Sequence, residues 1–199
     1  MQNLNGKIVA FLGPDGAGKS TMIELVQVRL AEKGIDFSYH YFAPGFLKRY
    51  RPKGDGAITT KPHEGRQYGA VLILAKILLM LFEFRMGVAR LRRQPRLALF
   101  DRYVLDILID PKRYRMGHVR WWMRVLLRLA PPPDLLVIVS APADLIQSRK
   151  QEVPAEETVR QVIAYEELAD IAPRGLIVHN TTTPDAAVSA VLAKLEALS

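Results

Sequence analysis

The chain has no cysteine among its 199 residues, which excludes a disulfide framework and any thiolate metal or redox site. Histidine is scarce as well. His40, His63, His118 and His179 lie far apart and share no ligand spacing, so no histidine metal centre is expected. Long hydrophobic runs are also missing. The most apolar stretch, Ala70 to Phe84, is interrupted by Lys76 and Glu83 and falls short of the roughly 20 residues of a membrane span. It reads as a buried helix. Met1-Gln2-Asn3-Leu4-Asn5 lacks the basic and apolar regions of a secretory signal, so a cytoplasmic location is expected. Acidic residues are in deficit: 20 Asp and Glu against 28 Lys and Arg leave a formal net charge of +8. An acidic partner follows, and nucleic acid, an anionic membrane and a phosphorylated small molecule all qualify. The 49% hydrophobic content, without repeat or low-complexity linker, suits a single domain over residues 1–199.

Short apolar runs alternate with helical patterns along the chain. Lys7 to Leu12, Asp36 to Phe42, Leu97 to Phe100, Leu135 to Val139 and Leu176 to His179 read as strands. Helices are expected over Lys19 to Glu32, Gln67 to Arg93, Val119 to Ala130, Ala143 to Arg149 and Ala155 to Ala169. A last helix begins near Pro184, capped by Thr183. The helix over Gln67 to Arg93 is apolar nearly all round and should be covered on more than one side. Pro44 to Arg66 shows no periodicity, only Gly, Pro and basic residues, and a loop so long in a compact domain is functional or disordered. The alternation indicates an α/β fold with a mostly parallel sheet.

Gly13-Pro14-Asp15-Gly16-Ala17-Gly18-Lys19-Ser20 fits G-x-x-x-x-G-K-[ST], directly after a strand and opening a helix. The glycines permit a tight loop whose backbone N–H groups point inward, and the helix N-terminus adds positive potential. A polyphosphate can sit there, with Lys19 on the outer phosphates, Ser20 on Mg²⁺ and Thr21 among the nucleotide-binding residues. Asp101, at the end of the third strand, should stand beside this loop and hold Mg²⁺ through water. Arg102 faces the acceptor, where a planar guanidinium grips a phosphate bidentately; a surface Asp-Arg ion pair is the plainer alternative.

Gly13 to Thr21 closely resembles the P-loop of thymidylate kinases, with Asp15 as the carboxylate at its third position, and Asp101-Arg102-Tyr103 resembles the family's Asp-Arg-Tyr motif. The resemblance implies a P-loop NTPase fold, a five-stranded parallel sheet flanked by helices, and a kinase using Mg²⁺·ATP. Catalysis would rest on positioning and charge neutralisation, with Lys19, Asp101, Arg102 and Arg149 in the catalytic set. Ser148 to Glu156 occupies the place of the family's mobile lid, where Arg149 and Lys150, with Arg160, would close over the phosphates. By the same resemblance the acceptor is a nucleoside monophosphate, dTMP by default.

The acceptor side departs from the family. Its Arg-Glu-Pro-Gly stretch is Phe42-Ala43-Pro44-Gly45 here, and Asp106, Ile109, Asp110 and Pro111 stand where neutral polar groups are usual. Carboxylates only accept hydrogen bonds, so Asp106 and Asp110 would suit a hydroxyl-rich acceptor such as a sugar; Asp15 is also assigned to the acceptor side, with shaping of the loop as its alternative role. Their spacing also places Asp106 and Asp110 on one helical face, and the equal alternative is a solvated pair or salt bridges to Arg113 and Lys112. The basic loop at 44–66 has room for a larger or more anionic acceptor, and Asp110-Pro111-Lys112-Arg113-Tyr114 resembles thymidylate kinase-like proteins associated with surface polysaccharide synthesis. A regulator that binds nucleotide without transfer is a further reading, set against intact Lys19, Ser20, Asp101 and Arg102; no separate nucleic-acid motif accompanies the charge. Arg120, Arg124 and Arg128 form a basic stripe beside Trp121 and Trp122, a pattern that also suits a membrane surface. The expectation is that Val125, Leu126 and Leu129 pack inward and the arginines are solvated. The apolar helix around Leu72 to Phe82 either packs within the monomer or, as in the family, against a second copy.

Overall fold

The computed structural model describes residues 4–46, 68–151, 153–180 and 184–198. Most of the 44–66 loop, lid residue Glu152 and the Thr183 cap lie outside them. Five strands, β1 (Ile8–Leu12), β2 (Phe37–Tyr41), β3 (Leu97–Asp101), β4 (Leu135–Ser140) and β5 (Gly175–His179), form one parallel sheet in the order β2-β3-β1-β4-β5. Helices α1 (Lys19–Glu32), α2 (Ala70–Leu91), α3 (Trp121–Leu127), α4 (Ala143–Arg149), α5 (Ala155–Ile171) and α6 (Pro184–Glu196) flank it. A 3₁₀ helix over Val104–Leu108 had no clear sequence signal.

The strand sequences explain why the sheet is covered on both faces. β1, β3 and β4 are buried along their whole length, and alternate side chains enter different cores. Ile8, Ala10 and Leu12 join Ala98, Phe100, Leu136 and Ile138 in a core closed by α2, α3 and α5. Val9 and Phe11 join Leu97, Leu99, Val137 and Val139 in a second core under α1 and α6. β1 pairs with β3 on one side and β4 on the other, so the chain changes direction across the sheet at β1. Loops at the carboxyl ends of such strands border the crevice where ligands of open α/β sheets bind.

One expectation about the helices is met in part and another is corrected. α2 buries Ile73, Ile77, Met80, Phe84 and Val88 in the core, meets α3, and has Pro44 and Phe46 against Gly87, Glu83 and Phe82, so it is covered on more than one side. Among the described residues Val71, Leu72, Leu78 and Leu79 still stay exposed. In α3 the inward residues are Met123 and Leu127, while Val125 and Leu129 are 53% and 55% exposed and only Leu126 is half-buried. Met123 and Leu127 lie one helical turn apart and enter the core shared with α2 and α5, which carries Val125 and Leu129 to the outer face.

Candidate active site

The P-loop leaves β1 through Gly13, whose φ of 145° and whose approach to the Val139 carbonyl, 2.2 Å from an added Cβ, admit no side chain. Gly18 closes the loop at φ 94°, and an added Cβ there would lie 2.2 Å from the Asn180 side-chain nitrogen. Asn180 in turn donates to the Ala17 carbonyl at 2.9 Å. Its role as a brace for the loop has no sequence signal, because a lone asparagine after a strand resembles any turn residue.

Lys19 opens α1 and is buried. Its Nζ donates to the carbonyls of Gly13 at 2.8 Å and Pro14 at 2.6 Å, with the Asp15 carboxylate 3.7 Å away. Burial first, and the nearby Arg102 guanidinium second, lower its pKa to about 7. Ser20 and Thr21 follow on the exposed side of the helix start, and Ala17 is buried beneath the loop. Asp101 ends β3 opposite Phe11, so its carboxylate stands at the head of the same crevice, buried and accepting from the Tyr39 hydroxyl at 3.1 Å. Burial and that carboxylate raise the Tyr39 pKa.

Arg102 sits at φ 70°, a left-handed conformation that a non-glycine residue holds only when its surroundings fix it. Its amide donates to the Phe11 carbonyl at 2.9 Å, and its guanidinium divides between two carboxylates. Nη1 donates to Asp106 at 2.8 Å, and Nη2 donates to Asp15. Burial works against the Arg102 charge, yet Asp106 holds its pKa well above the usual value. Asp106 is wholly buried and also accepts from the Tyr114 hydroxyl at 2.6 Å and from the Tyr165 hydroxyl. Burial, with the Asp106 charge next, raises both tyrosine pKa values well above normal.

The solvated reading of Asp106 and Asp110 therefore does not hold, since both are buried. Nor do they share a helical face. Asp106 lies on the 3₁₀ helix and Asp110 in the turn after it, where it accepts from the Arg113 amide at 3.2 Å and lies 3.4 Å from Arg113 Nε. The other guanidinium edge of Arg113 donates to Asp15. Asp15 thus joins two guanidiniums, with Lys150 Nζ 3.9 Å away. Arg149 ends α4 exposed, so of the cations expected to form a lid Lys150 is the one that approaches the P-loop. Arg160 is turned to Glu157 and to the Ile109 carbonyl, at 2.8 Å and 2.6 Å. The expected Arg113–Asp110 salt bridge is present, while the bond from Arg113 to Asp15 and the places of Tyr114 and Tyr165 on Asp106 are what sequence reasoning missed.

No protein-family model matches the chain, and no curated protein does. Among solved structures it is similar to a thymidylate kinase from Ehrlichia chaffeensis, with a TM-score of 0.59 over 95% of this chain and 98% of that one. The chain has the thymidylate kinase fold. Sequence identity is 15%, so the likeness lies in the course of the backbone. The parallel five-stranded sheet and flanking helices are those of this P-loop fold, as the sequence motifs imply.

Proposed function

We propose that the protein is a Mg²⁺·ATP-dependent kinase whose acceptor carries an oxyanion, a nucleoside monophosphate such as dTMP. The observation that carries this reading is the pair Arg102 and Arg113, both drawn onto the single carboxylate of Asp15 beside the P-loop. That carboxylate occupies the position an anion would take between two guanidiniums. The remaining space among Asp15, Arg113 and Lys150 is about 10 Å³, room for one water. An acceptor phosphate would replace Asp15 there and free it to accept a hydrogen bond from the acceptor.

The P-loop residues suit the donor. Lys19 is a buried amine that donates to two carbonyls, and a polyphosphate would supply the strong anionic partner it lacks within hydrogen-bond distance. Ser20 and Asp101 would hold Mg²⁺, which supplies charge neutralisation on the donor phosphates. Lys19 then positions the transferring group, Arg102 and Arg113 hold the two anionic reactants together against their repulsion, and Lys150 excludes water from above.

The sugar reading rested on Asp106 and Asp110 as acceptors for hydroxyl groups. Asp106 spends both oxygens on Arg102, Tyr114 and Tyr165, so no observation favours that use of it. Calorimetric titration of dTMP onto the Mg²⁺·ADP-loaded protein tests the assignment. Arg102→Ala and Arg113→Ala should each weaken dTMP about 10- to 100-fold, the effect of losing a charge-assisted hydrogen bond, with ADP affinity unchanged. Equal loss of ADP and dTMP would show that the arginines do not belong to the acceptor.

A further inference from the structure

Asp101 differs from the other buried aspartates in what holds it. Asp106 and Asp110 are each paired with an arginine, Arg102 and Arg113 respectively. The Asp101 carboxylate makes no ion pair among the described residues, and its Oδ2 accepts from the neutral hydroxyl of Tyr39 at 3.1 Å. A buried carboxylate without a counter-charge is unfavourable, so this one suits a cation that arrives with a ligand. Mg²⁺ takes oxygen ligands and keeps several waters, so beside phosphates it needs only one or two such groups from the protein.

The register of the sheet shows why Tyr39 is the residue that reaches it. β2 is an edge strand, paired with β3 so that Tyr39 lies beside Leu99 and Tyr41 beside Asp101. Side chains two apart share a face, so these four stand on one side of the sheet. A diagonal neighbour on a shared face lies within reach of an aromatic side chain, and this takes the Tyr39 hydroxyl to Asp101. Tyr39 is 48% exposed, so packing alone does not account for the direction of its hydroxyl. The backbone around Asp101 is fixed by other bonds. Its carbonyl accepts from the Phe42 amide at 2.8 Å, and the next amide, that of Arg102, donates to the Phe11 carbonyl at 2.9 Å. What remains is rotation of the carboxylate, which the bond to Oδ2 restrains while leaving Oδ1 for an ion. Removing such an outer bond to a metal ligand lowers metal affinity by about 10- to 100-fold.

We propose that Tyr39 is a positioning residue for the Mg²⁺ of the bound nucleotide, acting through Asp101. The proposal rests on the Mg²⁺·nucleotide part of the kinase reading and is independent of the acceptor. Its test is the ratio of ADP affinity at saturating Mg²⁺ to ADP affinity in EDTA, measured by calorimetry on the full chain. Tyr39→Phe keeps the ring and removes the bond, so it should lower this ratio about 10-fold relative to the parent and leave affinity in EDTA unchanged. Tyr41→Phe, on the same face and 49% exposed, should keep the parent ratio. In an Asp101→Asn background Tyr39→Phe should change the ratio no further, as expected of a residue that acts through that carboxylate. Binding in EDTA reports that each variant is folded, and a merely structural role would weaken ADP equally in both conditions and leave the ratio alone. A ratio unchanged by Tyr39→Phe would therefore overturn the proposal and leave the kinase reading standing. So would a full effect of Tyr39→Phe in the Asp101→Asn background. Failure of the parent to bind ADP in either condition would overturn both.

Discussion

At the scale of residues, the site is a chain of paired charges that runs from Lys19 through Asp15 and Arg102 to Asp106, with Arg113 and Asp110 as a branch. Two consequences are measurable. The Lys19 pKa of about 7 means that the free protein holds this side chain partly neutral at neutral pH. A bound polyphosphate favours the charged form and raises that pKa, so nucleotide binding must take up protons above pH 7, and affinity must fall as pH rises. Calorimetry of ADP binding at pH 8 in buffers of different ionisation enthalpy should show uptake approaching about one proton; no uptake would mean that Lys19 is already charged. The second consequence concerns Asp106. Asp106→Asn leaves the buried Arg102 with half its charge partners, at a cost of about 3 kcal/mol in denaturant unfolding. A loss below about 1 kcal/mol would assign Arg102's support to Asp15 instead. Lys19, Asp15, Asp101 and Arg102 were legible in the sequence because the P-loop and Asp-Arg-Tyr blocks are local and place those residues by spacing. Tyr165, 59 positions from the Asp106 it bonds, was not, since a tyrosine on a helix carries no mark of its distant partner.

At the scale of elements, β1 and β3 build the site because each ends at the crevice with a turn that only particular residues can make. Gly13 after β1 and the left-handed Arg102 after β3 send the chain away from the sheet and leave Lys19 and Asp101 side by side. All five strands and six helices were legible as apolar runs and helical periods, with boundaries shifted by a few residues. The register of α3 was not. Val125, Leu126 and Leu129 share a helical face as readily as Met123 and Leu127 do, and seven residues give too little periodicity to choose. The structure makes the choice testable: Met123→Ala should cost about 2–5 kcal/mol, and Val125→Ala should stay within about 0.5 kcal/mol. Urea unfolding of both variants checks it. Equal costs would mean that α3 buries the opposite face in solution.

At the scale of the whole molecule, a sheet buried on both faces serves as a rigid platform, with the variable chemistry held at one end. Its central strands pack into two cores, which fixes the P-loop relative to Arg102. Fold class was legible from the alternation of strands and helices. The acceptor was not, because the P-loop and Asp-Arg-Tyr blocks carry no mark of what the site receives, and the bonds that Arg113 makes to Asp110 and Asp15 depend on tertiary contacts. The most direct measurement for the kinase reading is single-turnover transfer from γ-labelled Mg²⁺·ATP to dTMP, thymidine and a set of sugars. Label should appear on dTMP, not on thymidine or the sugars, and Lys19→Ala should abolish it. Tight ATP binding with label passing to a sugar hydroxyl, or to no acceptor at all, would contradict it.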